Sequence, residues 1–312
     1  VPAAIGIQVP SSARAASAWL AHAGQGLWPR ARRFRRQFHA WWEGYVLDEP
    51  APRVASPPPD PASNAADVWT APRIKVAEMV WGDGFAFPGS VDHVIELVTP
   101  LGLTPEKSML YLGAGLGGGP RAIARTFGTW TTGLEASPAL AVAGMDYSKR
   151  AGLEEKAVIR EFDGETLELP EGKFHAICVR HALQGIRSRD RLLSEITKAL
   201  RPEGHLLISD FAGNAQPAAT PDAPEPIELE ELVRRIEKRE LDVRIAEDST
   251  AELRKLIIKG WADLAVNLTG KSLDPVEARA LADELAAWQG RLAAFAAGTL
   301  RVVRIHAIKK LA

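Results

Sequence analysis

Cysteine is almost missing from this chain: Cys178 stands alone in 312 residues. A disulfide framework within one chain is thereby excluded, and such sparing use suits a reducing cytoplasm. Cys178 itself falls in an apolar run and reads as a small buried core residue. There is no apolar stretch approaching the roughly 18 residues of a membrane-spanning helix. Nor is there an excess of charge of one sign. With a formal net charge of -1, no bulk field draws the molecule to nucleic acid or to an anionic membrane, so any such preference has to be local. Internal repeats are lacking too. No signal peptide is recognisable, and the chain opens at Val1 rather than Met, which leaves room for a short leader. A cytoplasmic location is the expectation. The length accommodates one large α/β domain plus an appendage.

Glycine, by contrast, is concentrated in one place. Met109 to Leu112 is an apolar run of strand length that ends in Gly113, Gly115 and Gly117, with Gly118, Gly119 and Pro120 behind them. Glycine there lets the backbone turn sharply and approach a ligand that a Cβ would obstruct. Gly133-Leu134-Glu135 closes the next strand, and its carboxylate can accept both hydrogen bonds of a ribose diol. A nucleotide-like cofactor is therefore the first hypothesis. The G-x-G-x-G-G-G spacing suits a tight turn beside an adenosine and a methionine better than a pyrophosphate resting on a helix N-terminus. A nicotinamide-dependent oxidoreductase is disfavoured accordingly.

Further along, Glu161-Phe162-Asp163-Gly164-Glu165 ends a third strand and Phe174 to Arg180 forms a fourth. A helix from Asp190 to Leu200, a turn Arg201-Pro202-Glu203-Gly204 and a strand from His205 to Asp210 complete the pattern. From about Met109 to Phe211 the chain resembles the Rossmann-like (class I) S-adenosylmethionine-dependent methyltransferases. The resemblance implies an α/β fold with a seven-stranded, mostly parallel sheet, helices on both faces and an antiparallel seventh strand. It also implies S-adenosylmethionine as cofactor, with Gly113, Gly115 and Gly117 under its methionine and ribose, Glu135 on the ribose hydroxyls and Asp163 on the adenine amino group. One position departs from the family: Tyr111 stands where an acidic residue usually helps hold the cofactor's amino end.

A closer likeness lies outside that core. The Trp81-Gly82-Asp83-Gly84-Phe85 break, the Ala246 to Thr250 end of the sixth strand and the closing Trp288 and Gly298-Thr299-Leu300-Arg301 look like phosphoethanolamine and related small-amine N-methyltransferases. That group pairs a Tyr with a His over the substrate nitrogen. Here Gly185 occupies the position of the histidine, His181 that of the family's aspartate, and no tyrosine precedes the glycine break. Phosphoethanolamine is therefore not the expected substrate. His181, at the carboxyl end of the fourth strand, is the candidate proton acceptor, since a neutral imidazole suits that task; the alternative is a helix-capping histidine. Arg180 can bind a carboxylate or phosphate, or form an ordinary salt bridge. Trp81 and Phe85 either wall a methylated ammonium by cation–π contact or simply pack.

Three segments are expected. Residues 1–45 form a basic, aromatic helical arm, with Phe34, Phe38, Trp41 and Tyr45 on one face and Arg32, Arg35 and Arg36 among those opposite. Such a helix fits an anionic membrane surface through residues 30–45, a partner or second subunit, or its own domain. Residues 46–72 form a proline-rich linker, and residues 73–312 the methyltransferase-like domain. Two functional readings stand side by side. One is a methyltransferase acting on a small or lipid-linked substrate by direct in-line transfer, with no metal and no nucleic-acid partner. The other is a catalytically silent relative, a pseudoenzyme that senses S-adenosylmethionine or S-adenosylhomocysteine or serves as a scaffold for a partner protein.

Overall fold

The computed structural model describes residues 69–213, 227–268 and 273–311. The expected arm at 1–45 lies outside the described residues, as do nearly all of the linker and most of the Pro/Ala-rich loop after Phe211. The chain divides into two units: Asp67–Gly260 with Pro275–Ala312, and Val1–Ala66 with Trp261–Asp274. All seven strands belong to the first. Of the second, the described part holds the C-terminal end of one helix.

Two helices open the first unit, α1 (Ala71–Trp81) and α2 (Val91–Val98), separated by the glycine-aromatic break. Ser90 caps α2 by accepting the His93 N–H at 3.1 Å, which satisfies one of the donors a helix start leaves free. There follow β1 (Ser108–Leu112), α3 (Gly118–Phe127), β2 (Trp130–Glu135), α4 (Pro138–Arg150), β3 (Ala157–Glu161) and β4 (Phe174–Arg180). The remaining elements are α5 (Arg189–Ala199), β5 (Leu200–Gly213), α6 (Leu229–Glu237), β6 (Leu241–Asp248), α7 (Thr250–Asn267), α8 (Pro275–Ala296) and β7 (Leu300–Lys309).

The sheet order is β3-β2-β1-β4-β5-β7-β6, with β1 to β5 parallel and β7 antiparallel to both its neighbours. This is the expected architecture. β1 and β4 are apolar on both faces and lie at the centre, covered by helices on either side, the pattern required of a parallel sheet. One face carries a core of Leu110, Leu112, Ile177, Val179, Leu192, Ile196, Leu206, Ile208 and Ile305. The order reverses direction between β1 and β4, and at such a switch point the carboxyl ends of the strands leave a crevice.

β5 differs from the expected strand in both directions. It begins at Leu200 rather than His205, because Leu200 already pairs with Phe174; the register then shifts between Phe174 and Ala176. The expected turn Arg201 to Gly204 becomes an excursion within the strand, with Glu203 at φ 59°. At the other end, antiparallel pairing with β7 carries the strand on to Gly213.

Candidate functional site

The site begins where β1 runs out. Gly113, Gly115 and Gly117 all adopt positive φ, at 79°, 54° and 76°, a region L side chains avoid. The close approach seen here is to the protein itself: a Cβ on Gly113 would sit 1.9 Å from the Arg180 carbonyl oxygen. The N–H groups of Gly113 and Ala114 both donate to the Leu134 carbonyl, at 2.9 and 3.0 Å, which ties the loop to β2. The buried Glu135 then braces it. Its Oε2 accepts the Gly115 N–H at 2.7 Å, and its Oε1 accepts the Ser137 N–H at 3.0 Å.

The Phe162 N–H donates to the Glu135 carbonyl at 3.1 Å, bringing Asp163 to the same end of the sheet. Asp163 is exposed and holds its own turn, with Oδ1 accepting the Glu165 N–H at 2.9 Å and Oδ2 the Thr166 hydroxyl at 3.0 Å. From the other side, the break between α1 and α2 packs onto the glycine loop. The Gly118 N–H donates to the Gly84 carbonyl at 2.9 Å. The Phe85 ring lies 2.9 Å from where a Gly118 Cβ would be, and Ala86 and Phe87 lie over Gly115. Trp81 is turned elsewhere. Its Nε1 donates to Glu284 Oε1 at 3.4 Å and its ring meets Trp288 edge-on at 5.3 Å, while the Trp288 Nε1 donates to the same oxygen at 2.9 Å.

Arg180 ends β4. It is 5 % exposed, its Nη2 donates to the Pro88 carbonyl, and its Nε is buried without a partner. His181 follows at φ 52°, a left-handed conformation that histidine tolerates better than most residues but still rarely adopts. Its ring stacks on Phe211 at 4.8 Å, with Phe87 at 6.0 Å, and both ring nitrogens are buried without partners. Burial, reinforced by Arg180, Arg291 and His93, holds its pKa well below the ordinary value. The imidazole is neutral at physiological pH and has a free lone pair. Cys178 lies deeper in β4, its thiol pushed up to about 12 by burial. Tyr111 is likewise buried, its phenol raised to about 12 and its hydroxyl without a partner.

Asp210 is a site residue that reading the sequence missed. Its Oδ2 accepts the N–H groups of Ala182 at 2.7 Å and Leu183 at 2.9 Å, and its Oδ1 accepts that of Phe211 at 2.7 Å. It thereby fixes the turn carrying His181. The available signal was its place at the carboxyl end of a strand, where sites of this architecture lie. Among the described residues no group of three or more His, Cys, Asp or Glu side chains could hold a metal ion. No helix among them is long and apolar enough to cross a membrane.

This loop and sheet recur in known proteins. Residues 110–208 match the family model described as a methyltransferase domain. That part of the chain is a class I S-adenosylmethionine-dependent methyltransferase domain, related to the phosphoethanolamine N-methyltransferases. Phosphoethanolamine N-methyltransferase 1 of Zea mays is 26% identical over 205 residues, covering 64% of this chain and 38% of that protein. The chain thus spans well under half of the length of that relative. Among solved structures, Haemonchus contortus phosphoethanolamine N-methyltransferase 2 in complex with S-adenosyl-L-methionine superposes with a TM-score of 0.65 at 20% identity, covering 76% of this chain and 57% of that one. The cyclase SpnF superposes with a TM-score of 0.59 at 18% identity, covering 77% and 93%. At such identities the superpositions speak for the methyltransferase fold, and the second shows that one fold hosts different chemistries.

Proposed function

We propose that this methyltransferase-family chain is an active S-adenosylmethionine-dependent enzyme that methylates a small or lipid-linked acceptor by direct in-line transfer. The observation that carries the reading is the cradle formed by three left-handed glycines and braced by Glu135. A Cβ at Gly113 or Gly117 would collide with neighbouring protein atoms and displace the loop, and a carboxylate beside the loop is a group that can accept from a diol. Gly113, Gly115 and Gly117 would lie under the methionine and ribose, Glu135 would take the ribose hydroxyls, and Asp163 the adenine amino group. When bound, the cofactor supplies an electrophilic methyl group on a sulfonium.

The chain's own part is positioning and proton handling. His181 presents a neutral imidazole at the carboxyl end of β4, with both nitrogens unclaimed, and would accept the proton an acceptor loses. Phe87 and Phe211 enclose its ring, and with Phe85 would exclude water. The maize and nematode relatives are named for phosphoethanolamine. The glycine at position 185 and the histidine at 181 argue for a different acceptor here.

The rival reading, a silent sensor or scaffold, draws on Tyr111. Its hydroxyl is buried and unpartnered where the family carries an acid, which removes one hold on the cofactor's amino end. Calorimetry with S-adenosylmethionine, S-adenosylhomocysteine and NAD decides between these readings. Binding of the first two but not NAD is expected, and Glu135→Ala should weaken it by about 1–3 kcal/mol, the cost of removing one partner of buried hydrogen bonds. Wild-type protein that fails to bind S-adenosylmethionine at millimolar concentration would leave only a scaffold. Binding without turnover on any amine or carboxylate acceptor would leave the sensor.

A further inference from the structure

Arg180 carries an unbalanced charge. Among the described residues its guanidinium donates to the Pro88 carbonyl and lies beside the Tyr111 hydroxyl, and it forms no salt bridge with a carboxylate although it is almost wholly buried. A buried cation in that condition is strongly unfavourable until an anion joins it. Nor is its Nε the only unclaimed polar atom there. His181, whose two ring nitrogens are also unclaimed, lines the same small cavity, and the Tyr111 hydroxyl stands near Arg180. Native interiors leave few such atoms, and a cluster of them marks the place of a ligand or an ordered water.

The cavity has a built lining. Strand register places Arg180 beside Ser209 and Ser209 beside Arg304, so the three side chains form a row across one face of β4, β5 and β7. His93 of α2 and Ser249 close the walls. Arg304 stands partly exposed at the mouth, bonded to Glu247 and 3.6 Å from the half-exposed Glu252, which also lines the cavity. The enclosed part measures about 10 Å³, and the lining continues to the partly exposed Arg304 and Glu252. The surroundings are cationic enough that His93 is held near 4, by burial first and then by Arg180 and Arg304.

We infer that Arg180, with Ser209 and Arg304, forms a binding site for the carboxylate of a small molecule, entered past Arg304 and Glu252. A planar two-oxygen group suits a guanidinium edge, and the narrow space and the Glu252 carboxylate at its mouth disfavour a more highly charged phosphate. This deepens the proposed function by giving its acceptor an acid group, and rests on that reading only for the word acceptor.

The test uses the full chain without cofactor, at pH 7.5 and constant ionic strength, with chloride replaced by acetate or by inorganic phosphate. A saturable rise in melting temperature with acetate is expected for wild type. It should vanish in Arg180→Met, and shrink several-fold in Arg180→Lys, which keeps the charge but loses the fork, and in Ser209→Ala, which leaves the charge untouched. No acetate response in wild type, or an undiminished one in Ser209→Ala together with any folded Arg180 variant, would overturn the site. A response to phosphate at least as large as that to acetate would overturn its preference for a carboxylate. S-adenosylmethionine calorimetry runs separately, so that acetate binding without cofactor binding fails the methyltransfer reading alone, and the reverse fails this site alone.

Discussion

At the scale of single residues, two glycines that look alike in the sequence have opposite standing. Gly113 is locked in place by backbone: its φ is 79° and a Cβ would lie 1.9 Å from the Arg180 carbonyl oxygen, which no rotamer change can relieve. Gly185 has nothing within 4 Å of a built Cβ and is absent from the positive-φ residues. Gly113→Ala should therefore destabilise by at least about 2 kcal/mol through strain and displacement of β4, and should abolish cofactor binding. Gly185→Ala should change stability by no more than about 0.5 kcal/mol. Chemical denaturation of the two variants checks this, and similar losses in both would refute the assignment of strain to position 113. His181 shares the left-handed backbone without being glycine. That strain was not legible in its sequence neighbourhood, because it arises where the turn is pulled onto Asp210, a residue supplied by the next strand.

At the scale of elements, Asp210 couples the end of β5 to the turn after β4, and this coupling depends on pH. Burial pushes its carboxyl up to about 6, against the three N–H groups it accepts and the Arg189 charge. A carboxyl raised from about 3.8 stays protonated in the folded protein where the unfolded chain has already released its proton. Its contribution to stability is present below pH 4 and is lost as pH rises through 6. The loss amounts to about 3 kcal/mol at 1.36 kcal/mol per unit. Asp210→Asn should lack this slope, so that the stability difference between wild type and variant changes by that order between pH 4 and 7 in urea titrations. Parallel curves would refute it. Local pattern made β4 legible to the residue, since an apolar run between polar turns has one reading as a buried parallel strand. The ends of β5 were not legible. They are set by pairing with Phe174 on one side and with β7 on the other, and partners so distant in sequence leave no local periodicity. The same reason hid the row Arg180, Ser209 and Arg304.

At the scale of the whole molecule, the basic aromatic helix expected at residues 30–45 lies outside the described residues, and we propose it as a peripheral membrane contact. On a helical pattern Arg32, Arg35 and Arg36 would lie away from Phe34, Phe38, Trp41 and Tyr45, with Arg30 and Arg33 adding charge beside them. Each basic residue near an anionic bilayer contributes on the order of 1 kcal/mol, screened by salt, while the aromatic face adds burial that salt leaves intact. Vesicle sedimentation should show binding that requires anionic lipid and weakens as salt rises. Deleting residues 1–45 should remove it with cofactor affinity unchanged. A truncated protein that melts earlier, from a parent that binds no vesicles, would instead make the segment a covering arm.

The position of β7 in the sheet has a consequence for how the protein is made. A ribosome emits β5 and β6 before β7, yet neither pairs with the other; the later strand lies between them. Until it arrives, β5 carries an open edge beside the core and β6 has no strand to join. Nascent chains halted before residue 300 should therefore be sticky intermediates that lean on chaperones, since unpaired strand edges template aggregation. Assembly would complete in a late step, when about ten residues join both neighbours at once.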